Sequence, residues 1–393
     1  MVRSGVTCLL LLLLMESAHG SEKGQFSGYL KSLWISAETA LGPEEDYWLA
    51  INRWHFEYQQ RFGRANIEIH YNHELRLGDY LDTFQYQLQR DLPPKPYWHI
   101  QTRYRREAEL EARHSLYRAT LAVPLGPMEA RLGRQQINWA RTFLWSSFDR
   151  FNPYDPLQLE PDERQGVDGI LLRWPIDTLQ TLEIAWAGQH TSDNSAYGIR
   201  WQQHWGQTDW DFLLSRFGNT EAVGVSFGSQ WHGVGLQAEY TFNNIKHHSL
   251  TNNPLAINWL NRRDHYNDLV LSGNYSFSTQ TTVTFEGLYR GIGAENPRTY
   301  DRTRQLTQQQ TTLARHYWGL IIQQVYSPLT QINFTALYNA DDHSSALLPE
   351  IIHSPGGNDD LALRIGGQWY LGSSQSEYGP LEPLLFAEIK WYY

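Results

Sequence analysis

Cysteine is almost absent: the chain holds one, Cys8, among 393 residues. It falls within "MVRSGVTCLLLLLLMESAHG", Met1–Gly20. Arg3 supplies a positive start, Leu9–Leu14 a short apolar centre, and Ala18-His19-Gly20 the small residues before a cut ahead of Ser21. That is the pattern of a secretory leader, too short to span a bilayer. A lipoprotein reading of Cys8 fails, because no apolar region lies upstream of it. The mature chain, residues 21–393, is then free of cysteine. A disulfide scaffold, a thiolate zinc site, a cysteine nucleophile and c-type haem attachment are all excluded.

Long apolar runs are missing too. Mean hydropathy is −0.53, and nothing after residue 20 approaches the ~20 apolar residues of a membrane helix. Positive charge is in deficit: 32 Lys and Arg stand against 42 Asp and Glu, a net −10, which argues against a nucleic-acid partner. No fixed-period repeat marks a propeller or β-helix. No Gly-rich phosphate loop and no HExxH is present. No cofactor and no metal is expected.

What the chain has is aromatic residues: 16 Trp, 23 Tyr and 15 Phe. Its last stretch, "LLFAEIKWYY", alternates strictly. Leu385, Ala387, Ile389, Trp391 and Tyr393 share one side; Phe386, Glu388, Lys390 and Tyr392 share the other. Such alternation predicts a β-strand, either half-buried in a soluble sandwich or in the wall of a membrane barrel. The pattern recurs. "NRWHFEY" sets Trp54, Phe56 and Tyr58 opposite Arg53, His55 and Glu57, and "ANIEIHYN" sets Ile67, Ile69 and Tyr71 opposite Glu68, His70 and Asn72. Tight separators ("PLGP", "PIDT", "HWGQ", "SPLT") are interspersed with long polar ones at 76–113, 138–165, 243–264 and 291–315. An exported, aromatic-rich chain without membrane helices points to the barrel, since in lipid only a closed barrel of strands satisfies every backbone group.

Strands are predicted near 25–36, 47–59, 65–75, 113–123, 128–137, 167–174, 179–188, 196–203, 208–217, 221–229, 233–242, 265–277, 280–290, 316–326, 331–339, 345–353, 360–370 and 384–393. Pro349 interrupts one of them; losing it and one other would leave sixteen. The expected fold is all-β, a single antiparallel transmembrane β-barrel of roughly 16–18 strands with short periplasmic turns and long extracellular loops. The run "RREAELEARH", Arg105–His114, is helix-prone and predicts a short helix in the longest loop. Arg53, Glu57, Glu68, Glu239, Glu286, Arg364, Glu388 and Lys390 are read as lumen-wall residues that pair across strands.

The leader, the alternating strands and the terminal aromatic strand resemble Gram-negative outer-membrane β-barrel proteins over the whole mature chain. "RLGRQQINW", Arg131–Trp139, resembles the RxGRQ strand of porin-like and alginate-export-like proteins. The resemblance implies outer-membrane lipid around the wall, and a barrel-assembly machinery that reads Ile389, Trp391 and Tyr393 as its signal. It also implies passive passage of a small hydrophilic or charged solute, or export of a charged polymer. Association into a homo-oligomer stays open.

The densest polar stretch runs from Arg131 to Arg173. Arg131, Arg134, Gln135, Asn138, Trp139, Arg141, Asp149, Arg150, Arg164, Asp168 and Arg173 are the candidate constriction or solute-binding residues. Opposed charges on a loop folded into the barrel would create a transverse field that selects solutes by charge. Strict alternation would point Arg134 at lipid, and a bulge at Gly133 would turn it inward. The alternative is a solvated surface loop with weak internal ion pairs. Catalysis is not expected. "DDHSS", Asp341–Ser345, reads as turn chemistry, and the adjacent His247 and His248 face opposite ways on a strand. The competing functions are a barrel hydrolase, or a surface receptor or adhesin acting through its long loops.

Overall fold

A computed structural model describes residues 24–90, 97–98, 100–160, 164, 166–188, 195–246, 264–302, 312–356 and 360–393. The predicted leader, His247, His248, Asp162 and Glu163 lie outside the described residues. The strands are β1 (Gln25–Glu38), β2 (Asp46–Phe62), β3 (Ala65–Leu77), β4 (Gln101–Glu107), β5 (Leu110–Leu125), β6 (Met128–Gln135), β7 (Val167–Pro175), β8 (Gln180–Ala187), β9 (Ala196–Trp205) and β10 (Thr208–Phe217). They continue with β11 (Thr220–Trp231), β12 (Val234–Ile245), β13 (His265–Ser276), β14 (Thr281–Arg290), β15 (His316–Ser327), β16 (Thr330–Asn339), β17 (Ser344–His353), β18 (Leu361–Leu371) and β19 (Leu384–Tyr392).

Every pairing between these strands is antiparallel, and β1 pairs β19 from Tyr29↔Tyr392 to Ala37↔Leu384. The sheet therefore closes on itself. Of its nineteen strands only β4 stands apart from the ring, paired to β5 alone, so eighteen form the barrel wall. The alternation read from the sequence becomes an inside and an outside. Outward positions carry exposed aromatics: Trp34 stacks on Trp48 with ring centres 6.2 Å apart, and Phe285 on Trp318 at 5.5 Å. Inward positions carry buried Arg53, Asn72, Glu74, Asp211 and Glu239. An apolar skin around a polar interior is the reverse of a soluble sandwich and the signature of a barrel whose outer face meets lipid.

β17 forms despite Pro349. Its ladder to β16 is continuous, but the ladder to β18 jumps from Leu347↔Trp369 to Glu350↔Gly366. The proline's missing N–H falls in that interruption, where it removes no sheet bond.

The helix expected at Arg105–His114 is a correction. Those residues form the end of β4, a turn at Ala108–Glu109 and the start of β5. The reason lies in β6, which stops pairing at Ala119↔Arg134. The upper part of β5 would otherwise be a bare edge, and β4 covers it from Gln101↔Ser115 upward. Helix appears earlier in this loop, at Phe84–Gln89, where the Thr83 hydroxyl accepts from Tyr86 N at 3.2 Å.

The terminal aromatics finish the seam. Tyr393 exchanges backbone hydrogen bonds with Gly28 at 3.1 and 3.2 Å. Its hydroxyl donates to the His55 carbonyl at 3.0 Å and accepts from Trp54 Nε1 at 3.0 Å. Ile389 and Trp391 are exposed on the outer face. Truncation of Trp391–Tyr393 removes these bonds, each worth about 1 kcal/mol, together with the end of the closing ladder. Loss of the heat-modifiable folded form on a gel is expected; normal folded yield would contradict it.

Candidate functional site

The chain leaves the wall at Gln135 and rejoins it at Val167. In between, residues 136–160 fold into the lumen. The first anchor is apolar. Ile137, Trp139, Phe148 and Phe151 pack with inward Leu171, Ala185 and Leu213 in one buried cluster. Trp139 meets Phe151 edge-on at 5.0 Å, and Phe151 meets Phe217 at 5.4 Å. Wall glycines make the room. A Cβ on Gly198 would sit 2.5 Å from the Trp139 ring, on Gly224 2.8 Å from Phe148, and on Gly319 2.2 Å from Leu144. Glycine inside a strand marks such a close approach.

The second anchor is polar. Glu239 on β12 accepts from the N–H groups of Arg141 (2.6 Å), Thr142 (3.3 Å), Ser147 (2.8 Å) and Phe148 (3.2 Å), and from the Ser146 hydroxyl at 2.7 Å. Glu286 on β14 accepts from Phe143 N (2.9 Å), Leu144 N (3.0 Å) and Trp145 N (2.7 Å). Two fully buried carboxylates thus satisfy seven successive-turn amides of a segment that has no ladder of its own. Arg141 adds a charged pair with Asp211, Nη2 to Oδ2 at 2.6 Å, and Arg200 reaches the other Asp211 oxygen at 3.2 Å.

The loop then crosses to the far wall. Gln368 donates to the Leu157 carbonyl at 2.9 Å, and Arg364 to that of Leu159 at 2.9 Å. Glu160 bridges to Arg53 at 2.8 Å and to Lys31. Burial opposes the charge on Glu160, but Arg53 and Lys31 outweigh it and hold its pKa below the ordinary carboxylate value.

Two cavities lie along the loop. One of about 590 Å³, lined by Gln136–Trp139, is faced by Glu68, Glu129 and Glu183 and by Arg118, Arg131 and Arg200. The other, about 280 Å³, lies at the far end of the loop between Glu160, Glu350 and Glu388 and Lys31, Arg364 and Lys390. Each holds both signs of charge.

The residues singled out from the sequence divide into groups. Arg131, Gln135, Asn138 and Trp139 line the larger cavity. Arg173 lies on the same face, 3.7 Å from Glu183. Arg141, Asp149, Arg150 and Arg164 belong to the loop's internal framework. Arg164 pairs with Asp149 at 3.3 Å, and Arg150 donates to Ser147 O at 3.2 Å and to Asn243 Oδ1. Arg134 and Asp168 are elsewhere. The inward bulge expected at Gly133 does not form, since β6 stays in register with both neighbours. Arg134 keeps the outward phase of exposed Leu132, and Asp168 that of exposed Ile170. The pair escapes lipid by being sealed. Arg134 donates to Asp168 at 2.7 and 2.9 Å, to Leu116 O at 2.9 Å and to Trp98 O at 2.6 Å, while Trp98 N caps Asp168 at 2.9 Å. A fully satisfied buried pair of this kind has no face toward the lumen.

Asp341–His343 fall in the β16–β17 turn, and Ser344 and Ser345 open β17. His343 Nδ1 meets the Tyr338 hydroxyl at 2.8 Å, and Ser344 Oγ donates to Asp342 at 2.6 Å. This is turn bonding. Glu239 and Glu286 stand on the lumen wall as expected, but their anchoring of the loop amides was missed from the sequence, as were the wall glycines. Glycine at inward positions of otherwise regular strands was the available signal.

No protein-family model matches the chain, and no curated protein matches it. Solved structures do. The outer membrane protein OprD from Pseudomonas aeruginosa superposes with a TM-score of 0.55 at 9% identity, over 94% of this chain and 93% of that one. OccAB1 of Acinetobacter baumannii gives 0.56 at 11% identity, over 96% and 99%. OccK7 (OpdD) of Pseudomonas aeruginosa gives 0.57 at 8%, over 94% and 98%. The likeness is one of fold.

Two outcomes follow from the anchors. Glu286→Ala strands three amides at about 1–3 kcal/mol each. Tryptic cleavage at Arg150 should accelerate while the barrel stays heat-modifiable; an unchanged rate would contradict the anchoring role. Burial pushes the Asp149 carboxyl up to about 7 despite Arg164. A raised acid pKa stabilises the folded loop fully below the ordinary 3.8, and that contribution is lost as pH rises through about 7. Hydrogen exchange of the loop amides, corrected for intrinsic rates, should rise across that range in the natural chain and not in Asp149→Asn.

Proposed function

We propose that the protein is an outer-membrane channel for passive passage of small charged or zwitterionic solutes. The observation that carries this reading is the pair of mixed-charge cavities along a loop pinned inside the barrel. A solute bearing both signs finds opposed partners at each, and neutral or mismatched solutes do not. The apolar aromatic skin suits a bilayer, the predicted leader suits export, and the fold likeness to an outer membrane protein suits the same location. A lumen crossed by a pinned loop favours small solutes over a polymer chain. In this reading Arg131, Gln135, Asn138, Trp139 and Arg173 face the passage, and Arg141, Asp149, Arg150 and Arg164 hold its shape. The terminal Ile389, Trp391 and Tyr393 serve barrel assembly, and no catalytic step or cofactor takes part.

The test is planar-bilayer recording of the refolded mature chain under a salt gradient. Stepwise conductance is expected, and Arg131→Ala with Arg200→Ala should shift the reversal potential toward cation preference. A folded barrel that conducts nothing, or one whose selectivity ignores both arginines, would overturn the reading.

A further inference from the structure

The inward positions of β2 and β3 bring two histidines and a glutamate to one point. His55 stands opposite Asn72, Glu57 opposite His70, and Gln59 opposite Glu68. His55 Nε2 lies 3.1 Å from Glu57 Oε1 and 3.3 Å from His70 Nδ1, and His70 Nδ1 lies 3.6 Å from Glu57 Oε1. The three atoms form a nearly equilateral triangle. Zinc binds such ligands at about 2.0–2.2 Å, so a tetrahedral ion holds them roughly 3.3–3.5 Å apart. The triangle has the size of one face of that tetrahedron.

The backs of both rings are held as metal-ligating imidazoles usually are. His70 Nε2 lies 2.6 Å from Glu68 Oε1, and His55 Nδ1 bonds Asn72 Oδ1. An acceptor oxygen there keeps the ring proton on that nitrogen and leaves the opposite nitrogen with its lone pair. Nε2 of His55 and Nδ1 of His70 then turn lone pairs toward each other and toward a carboxylate oxygen. Three electron-rich atoms at this spacing repel unless a proton or a cation lies among them. A proton bridges two of the three; a divalent ion satisfies all of them. The ring of His55 is fixed further by Tyr29, stacked at 4.6 Å, and by Tyr117, edge-on at 5.9 Å. Tyr117 is the extra residue where the β3–β5 register shifts.

We propose that His55, Glu57 and His70 bind one zinc-class divalent ion, with Glu68 and Asn72 positioning the two rings. Two imidazoles and a carboxylate suit zinc, cobalt or nickel rather than magnesium or calcium. Both histidines are buried while the Glu57 side chain is 31% exposed, so the fourth coordination position opens toward the lumen.

The test uses the full mature chain, folded in detergent, stripped with a chelator and titrated with Co2+ alone. The visible d–d bands of a tetrahedral site are expected, saturating at one ion per chain and displaced by Zn2+. His70→Ala and Glu57→Gln should lose the bands, and Glu68→Gln should weaken binding roughly 10–100-fold. Heat-modifiable migration verifies that each variant is folded, and partly exposed Glu57 provides a variant that leaves both rings packed. No bands in the folded natural chain, or undiminished binding by Glu57→Gln and Glu68→Gln, would overturn the proposal in favour of a proton-bridged imidazole pair.

Discussion

An unpaired peptide group away from water costs several kcal/mol, and both the wall and the loop inside it are arranged around that cost. The wall meets it by closure: β1 pairs β19, and no strand of the ring is left with a bare side. Where β6 turns away, β4 takes its place against β5. The loop has no ladder, so the wall supplies acceptors instead. Glu239 and Glu286 gather its amides as a helix terminus gathers an anion. Apolar packing against Leu171 and Leu213, with glycine at the points of closest approach, then sets the depth of the loop.

This arrangement divides the charges by task. Arg141, Asp211, Arg164 and Asp149 are consumed in holding the loop. Arg131 and Arg118, with their facing glutamates, line open space, and Arg200 serves both tasks, lining the cavity and pairing with Asp211. Arg134 and Asp168 do neither. They sit at outward positions, and the segment at Trp98 covers them. The lumen is therefore shaped largely by one set of ion pairs and presents its field largely through another.

The wall was legible because its signal is repeated: eighteen strands alternate, and each alternation is a local property of the sequence. The same rule identified the inward His55, Glu57, Glu68 and His70, though not their meeting point, which depends on cross-strand register. The loop was legible only as a dense polar stretch with aromatics. Its direction depends on Glu239 and Glu286, which look like any other wall carboxylates in the sequence. Arg105–His114 was misread as helix because it is rich in helix formers, and strand formation at the end of β4 depends on the vacant side of β5. Arg134 was misread because a covering segment some 36 residues away keeps it from lipid without any bulge.

The central claim is that residues 136–160 lie inside the barrel, fixed against the wall. Leu144 and Gly319 touch across that contact, and the only native cysteine, Cys8, belongs to the predicted leader. A chain carrying both Leu144→Cys and Gly319→Cys therefore tests the claim directly by mild oxidation of the folded protein, followed by mass analysis. The account predicts a disulfide between the two positions in the heat-modifiable barrel. A folded barrel in which both thiols stay free and react with a water-soluble maleimide would contradict it.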